Sequence, residues 1–133
     1  MRITPENITA LSPNEIFVFG SNYLGKHGKG AAYTAFKKFG AVWGIGRGLQ
    51  GNSYGIPTKG TDLRRALPIA EIEKEVLLFI KDAKEDPQLI FLITEIGCGL
   101  AGYTPKEIAP LFRECVSMEN VYLPERFWTI LSA

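Results

Sequence analysis

The chain has 133 residues, of which 46% are hydrophobic and 22% charged, a composition typical of one globular domain with its own core. Its formal net charge of +1 gives no reason to expect general binding to nucleic acid or to a membrane surface. Two cysteines and one histidine predict neither a disulfide framework nor a metal site. Met1–Ala10 carries no signal-peptide pattern, so we expect a cytoplasmic protein. We also expect one domain spanning residues 1–133, without cofactor or metal.

The first half of the chain alternates strand, helix and strand patterns. Glu15–Phe19 is a short apolar run that predicts a buried strand. From Gly28 to Gly40 the apolar residues recur at helical spacing, which predicts a helix. Ser53–Ile56 is predicted to form a second strand, which Pro57 closes.

The second half repeats this alternation. Pro68 suits the first position of a helix that reaches about Lys84. Leu89–Thr94 is apolar throughout and predicts a strand that is covered on both faces. Thr104–Glu107 matches a capping box and predicts a helix whose apolar face runs to Cys115. Two short elements complete the chain, a strand at Asn120–Leu123 and a turn of helix at Glu125–Leu131.

This order of elements predicts an α/β fold in which helices pack on both faces of a mixed, largely parallel sheet. All but three of the 14 glycines lie between Gly20 and Gly60, and the other three lie in Gly97–Gly102. Within these regions, Gly20–Gly30 follows one predicted strand and opens a helix, and Ile96–Tyr103 does the same after another strand. Loops of this kind meet at the carboxyl ends of parallel strands, where backbone N–H groups bind anions. The pair of loops therefore predicts a site for a ligand with more than one anionic or sugar group.

Two stretches resemble the signatures of macro domains. Phe17–Asn22 followed by His27–Ala32 is similar to the first, in which a strand ends in asparagine and a glycine turn leads into a helix. Thr94–Tyr103 resembles the second signature, and Gly51–Lys59 resembles the strand between them. The resemblance is closest to compact macro-like proteins of bacteria and phages. It implies a three-layer α/β/α sandwich that binds ADP-ribose or a related nucleotide.

The resemblance also implies roles for individual residues. Asn22 would contact the distal ribose, Tyr103 would flank it, and Gly28 and Gly30 would let the first loop pass close to the ligand. The diphosphate would be wrapped by residues of the second loop: Gly97, Cys98, Gly99, Leu100 and Gly102. The acid that contacts adenine in the family has at best a counterpart in Glu6-Asn7-Ile8.

Three residues are candidates for chemistry. His27 lies in the first loop and could act as a general base near neutral pH or hold a phosphate, but an exposed loop histidine that merely contacts solvent or ligand is favoured over catalysis. Glu95 ends the apolar strand Leu89–Thr94 and is either a general base or a helix-cap partner; both interpretations remain open. Cys98 stands near a predicted helix N-terminus, a setting that lowers a thiol pKa, yet a role as a small space-filling residue is favoured over a nucleophile.

Three functions are compatible with these patterns. Some macro domains hydrolyse ADP-ribose from proteins, nucleic acids or a 1″-phosphate, whereas others only bind it. The first function, implied by the resemblance, is therefore that of a domain that binds ADP-ribose or ADP-ribosylated macromolecules, with or without hydrolysis of the ADP-ribosyl bond. It could also be a non-catalytic module that sequesters a nucleotide. The third alternative, a Rossmann-like nucleotide phosphoribohydrolase, predicts a paired acid and arginine around a glycine motif, and the sequence gives no convincing pair.

Overall fold

A computed structural model describes all residues from Met1 to Ala133 and shows an α/β fold built on one five-stranded sheet. The sheet order is β2-β3-β1-β4-β5, with β2 antiparallel to β3 and all other neighbours parallel. The prediction of a mixed, largely parallel sheet is therefore confirmed. The strands are β1 (Glu15–Asn22), β2 (Gly48–Gln50), β3 (Ser53–Lys59), β4 (Ile90–Ile93) and β5 (Val121–Tyr122).

The helices cover both faces of this sheet and complete three layers. Helix α1 packs on one face, while the remaining helices pack on the other around a larger core. None of the helices combines the length and the apolar character that crossing a membrane would require. In chain order they are α1 (Gly30–Lys38), α2 (Ile69–Glu85), α3 (Pro105–Ile108), a 3₁₀ helix (Ala109–Ser117) and α4 (Glu125–Leu131).

Strand β1 lies at the centre of the sheet and explains the two cores. Successive side chains of a strand point to opposite faces. Phe17 and Phe19 therefore pack against α1 in a cluster of six buried residues. Ile16 and Val18 point the other way, into a cluster of 22 buried residues shared with α2 and the C-terminal helices.

The predicted helix after Thr104 is correct in position but not in type. Its α-helical part ends at Ile108, and the chain continues as a 3₁₀ helix to Ser117. Pro110 interrupts the α-helical hydrogen bonding at this point, because proline has no N–H to donate to the carbonyl four residues earlier. The predicted apolar face is retained, since Phe112 and Cys115 are fully buried.

Candidate ligand-binding site

The carboxyl ends of β1, β3 and β4 border a cleft of about 650 Å³. The chain leaves β1 towards α1 on one face and leaves β4 towards α3 on the other. Because the two connections diverge, a crevice opens between them at this edge of the sheet. Its walls are the two loops that the glycine clusters predicted, here defined as the first loop, 23–29, and the second loop, 97–103.

Asn22, the last residue of β1, shapes the first loop. Its side-chain oxygen accepts the N–H of Lys26 at 3.0 Å, and its side-chain NH₂ donates to the carbonyl of Lys26 at 3.1 Å. Asn22 also lines the cleft, although it is only 9% exposed. The amide is thus occupied by its own loop, and the contact with a ribose that the resemblance implies stays a prediction.

Two further contacts tether the first loop and the neighbouring glycine-rich segment to α2. The hydroxyl of Tyr23 donates to Glu75 at 3.1 Å, and Arg47 donates to the same carboxylate at 2.6 Å. Glu75 is only 5% exposed, so its charge is satisfied by these two partners rather than by water. The loop is therefore held against a long helix rather than left free.

The N-terminus of α1 faces the cleft without a cap of its own. Lys29 occupies the capping position with no side-chain hydrogen bond, and the first turn contains no acidic residue. Gly30, Ala31 and Ala32, whose N–H groups have no partner within the helix, line the cleft. These donors and the positive end of the helix dipole favour an anion at this point.

The second loop differs from the first because the following helix is closed by its own residues. Thr104 and Glu107 form the predicted capping box. Within the loop, the N–H of Gly102 donates to Gly99 and that of Tyr103 donates to Gly97. An uncapped helix N-terminus, which the expected anion site in each loop would need, is thus present only after the first loop, and the second loop contributes a compact wall.

One glycine in each loop has no role in the backbone conformation. Gly28 and Gly99 lack a positive φ, and a Cβ added at either would meet no atom within 4 Å. They are the only glycines of the chain with both properties, and both line the cleft. Since the fold itself would accept a side chain here, these positions suit close approach of a ligand to the backbone.

Basic residues outnumber acidic ones around the cleft. The acidic residue in the lining is Glu95, and the basic residues are Lys26, Lys29, Lys59 and Arg64. The Lys59 ammonium donates to the carbonyl of Leu63 at 3.0 Å and has no carboxylate partner. An anionic ligand would therefore meet a positive lining.

Glu95 has a partner that the sequence did not indicate. Arg126 of α4 donates to both of its carboxylate oxygens, each at 2.6 Å. These hydrogen bonds hold the pKa of Glu95 below its usual range. Of the two open interpretations, the helix-cap partner does not apply, because Glu107 caps α3. Glu95 is an ionised carboxylate at the edge of the cleft.

His27 belongs to the first loop, but its side chain points away from the cleft and is not part of the lining. Its side chain is fully buried, its Nε2 lies 2.9 Å from the carbonyl oxygen of Val42, and its ring meets Phe19 edge-on at 5.2 Å. The alternative of an exposed loop histidine is wrong. In this position the ring holds the first loop against the segment around Val42, and a general base at the ligand would require that loop to rearrange.

Of the ligand contacts predicted in the second loop, some line the cleft and others do not. Gly97, Gly99 and Leu100 line the cleft, as do Gly28 of the first loop and Gly30 at the start of α1. Cys98, Gly102 and Tyr103 do not belong to the lining. Tyr103 turns inward, where its hydroxyl donates to the carbonyl of Leu67 at 2.6 Å.

Cys98 packs against the larger core, and its thiol is not activated. Burial raises its pKa to about 11, and the nearby carboxylate of Glu95 adds to this effect. The expectation of a lowered pKa is therefore wrong, because the helix it relied on is closed by its own cap and the adjacent charge is negative. The favoured interpretation as a space-filling residue agrees with this position.

We predict that Cys98 reacts with iodoacetamide about a hundredfold more slowly than an exposed thiol at pH 8, because a pKa raised by two units lowers the thiolate fraction by that factor. The rate should rise about tenfold per pH unit until the pH approaches 11. Peptide mapping by mass spectrometry separates Cys98 from Cys115, which is fully buried and serves as the slower reference. Fast, pH-independent labelling of Cys98 near neutrality would contradict the prediction.

A second cavity of about 900 Å³ adjoins the cleft. It lies between the N-terminal segment, whose Ile3 bridges to Leu123, and the exposed side of α4. Ala31, Thr94 and Glu95 line both cavities, so the two lie side by side along these residues. Arg126 lines only the second cavity. Sequence analysis missed it because no local motif surrounds a lone arginine in a short helix.

No three His, Cys, Asp or Glu side chains cluster in a way that could hold a metal ion. Comparison with models of known protein families, with curated protein sequences and with solved structures finds no match. The arrangement of the cleft therefore carries the functional argument.

Proposed function

We propose that this protein binds ADP-ribose or a closely related nucleotide diphosphate sugar, with the diphosphate at the N-terminus of α1. The observation that carries the proposal is the uncapped end of this helix, which opens into a cleft whose walls are kept bare by Gly28 and Gly99. Backbone N–H groups at a helix N-terminus are a favourable site for phosphate. The basic lining strengthens that preference.

The two adjoining cavities suit a ligand with two parts. Each has a volume in the range of small-molecule sites, about 300–1,000 Å³. The second cavity combines apolar side chains, Ile3, Ile8 and Phe17, with the polar Glu6 and Asn7. A nucleobase, which has apolar faces and polar edges, fits this lining, while the diphosphate and distal sugar occupy the first. The resemblance to macro domains supports ADP-ribose over other nucleotides.

The cleft supports binding better than hydrolysis. General acid–base catalysis requires a positioned group that can exchange a proton. Arg126 holds the pKa of Glu95 below its usual range, which makes this carboxylate a weaker base, while His27 and Cys98 lie outside the lining. A non-catalytic binding domain for ADP-ribose, free or attached to a macromolecule, is therefore the function we put forward.

Titration calorimetry with ADP-ribose, AMP and NAD tests the proposal. We expect ADP-ribose to bind more tightly than AMP, which lacks the second phosphate and the distal ribose, and we expect no hydrolysis of ADP-ribosylated protein by the same preparation. Absence of ADP-ribose binding at millimolar concentration would overturn the proposal. Release of ADP-ribose from the modified protein would contradict a non-catalytic function and support an ADP-ribosyl hydrolase instead.

A further inference from the structure

The carboxylate of Glu95 stands where the two cavities meet. Of the three residues that line both, it is the only charged one. Its side chain is 36% exposed, so it is accessible from the cavities. A molecule that extends from one cavity into the other along these shared residues would pass this carboxylate.

Arg126 fixes how the carboxylate is presented. Two parallel hydrogen bonds of 2.6 Å from one guanidinium to one carboxylate restrain the geometry of both groups. They leave other lone pairs on each oxygen, because a carboxylate can accept about four hydrogen bonds. Glu95 can thus accept a further hydroxyl, while Arg126 keeps its remaining N–H donors and has its positive charge paired with this carboxylate.

The group that passes Glu95 follows from the proposed function, on which this inference rests. In a nucleotide whose base lies in the second cavity and whose diphosphate lies in the first, the connecting group is the ribose attached to the base. Its hydroxyls can donate to a carboxylate, as they do to the acidic residue of dinucleotide-binding folds. A phosphate on one of those hydroxyls would instead meet a negative charge.

We infer that Glu95 and Arg126 form a specificity device that selects nucleotides with free hydroxyls on the base-linked ribose and rejects those with a 2′-phosphate there. Glu95 provides the acceptor for the hydroxyl and the repulsion against the phosphate. Arg126 acts as a positioning residue, and its pairing with Glu95 offsets the positive charge that would otherwise attract a phosphate.

The substitution Glu95→Gln tests both parts. The amide keeps a hydrogen-bond acceptor for the ribose, so binding of ADP-ribose should weaken only a few-fold. The same change removes the negative charge and frees Arg126, so binding of ADP-ribose 2′-phosphate should strengthen about tenfold or more, the range of a charge-assisted hydrogen bond. The preference between the two ligands should therefore narrow or reverse.

Calorimetry with both ligands is carried out on four proteins: wild type, Glu95→Gln, the double variant Glu95→Gln/Arg126→Gln, and Glu114→Gln. Glu114 is a matched control, because it is half-exposed and paired with Lys84 away from both cavities. We expect wild type and Glu114→Gln to prefer ADP-ribose, Glu95→Gln to gain affinity for the 2′-phosphate, and the double variant to lose that gain.

The outcomes separate the inference from the proposed function. If wild type binds ADP-ribose but Glu95→Gln leaves the ligand preference unchanged, the inference fails and the proposed function stands. A gain that survives in the double variant overturns the part assigned to Arg126. If wild type binds neither ligand, the proposed function fails, and the inference fails with it.

Discussion

Replacing Gly99 with valine is expected to weaken ADP-ribose binding by about a hundredfold and to change the free energy of unfolding by less than about 1 kcal/mol. A Cβ at Gly99 would meet no atom of the protein within 4 Å, and its φ is not positive, so the folded chain accommodates the new side chain. The valine would project into the cleft and occupy space that the proposal assigns to the ligand. Calorimetry and thermal unfolding measure the two quantities on the same sample.

Gly97→Ala is the matched control, two residues earlier in the same loop. Gly97 has φ of +77°, and an added Cβ would lie 3.0 Å from the side chain of Ile108. This substitution should lower the free energy of unfolding by about 1–2 kcal/mol, since left-handed backbone disfavours a side chain. If Gly99→Val binds ADP-ribose as wild type does, no ligand approaches this backbone. The cleft between Gly28 and Gly99 would then no longer support the proposed function.

Replacing Phe79 with alanine is expected to lower the free energy of unfolding by about 4 kcal/mol, in the range found for buried aromatic residues. Phe79 of α2 is fully buried and meets the rings of Tyr54 and Phe91 edge-on, with centroids 5.2 and 5.4 Å away. The substitution leaves a cavity between α2 and two strands of the sheet and removes both aromatic contacts. Denaturation with urea, monitored by circular dichroism, measures the change.

Leu78→Ala provides the comparison, because Leu78 precedes Phe79 on the same helix but is 43% exposed. It should cost less than about 1 kcal/mol, since most of its surface is in water in the folded state as well. Equal losses from the two substitutions would show that α2 does not pack on the sheet through the face described above.

Apolar periodicity predicted most of the fold because buried faces leave a pattern in the sequence. Helix α2, with its apolar face, was predicted to within one residue at each end. The prediction that Pro57 closes a strand was wrong, since β3 continues to Lys59. Pro57 lies beyond Gly55, the last residue of β3 that pairs with β2, so β3 has only one neighbour there and tolerates proline.

The candidate site was predictable only as far as it is local. Glycine loops that follow strands mark the edge of the sheet, and both loops border the cleft. The pairing of Glu95 with Arg126 was not predictable. The two residues are 31 positions apart in the sequence, and they meet only because of how α4 packs against the rest of the chain. Likewise, the burial of His27 depends on the segment around Val42 folding over it.

The two helical layers are attached to the sheet by buried clusters of unequal size, and this has a consequence for how binding and folding are linked. Helix α1 is attached to the sheet through a cluster of six buried residues, whereas the opposite layer shares 22. Regions with few buried apolar contacts open locally at lower cost than the global core. A ligand held at the N-terminus of α1 would connect the layer with the smaller buried cluster to the second loop, which packs against the larger cluster. Its binding free energy would then stabilise the helical layer that is attached to the sheet by the smaller buried cluster.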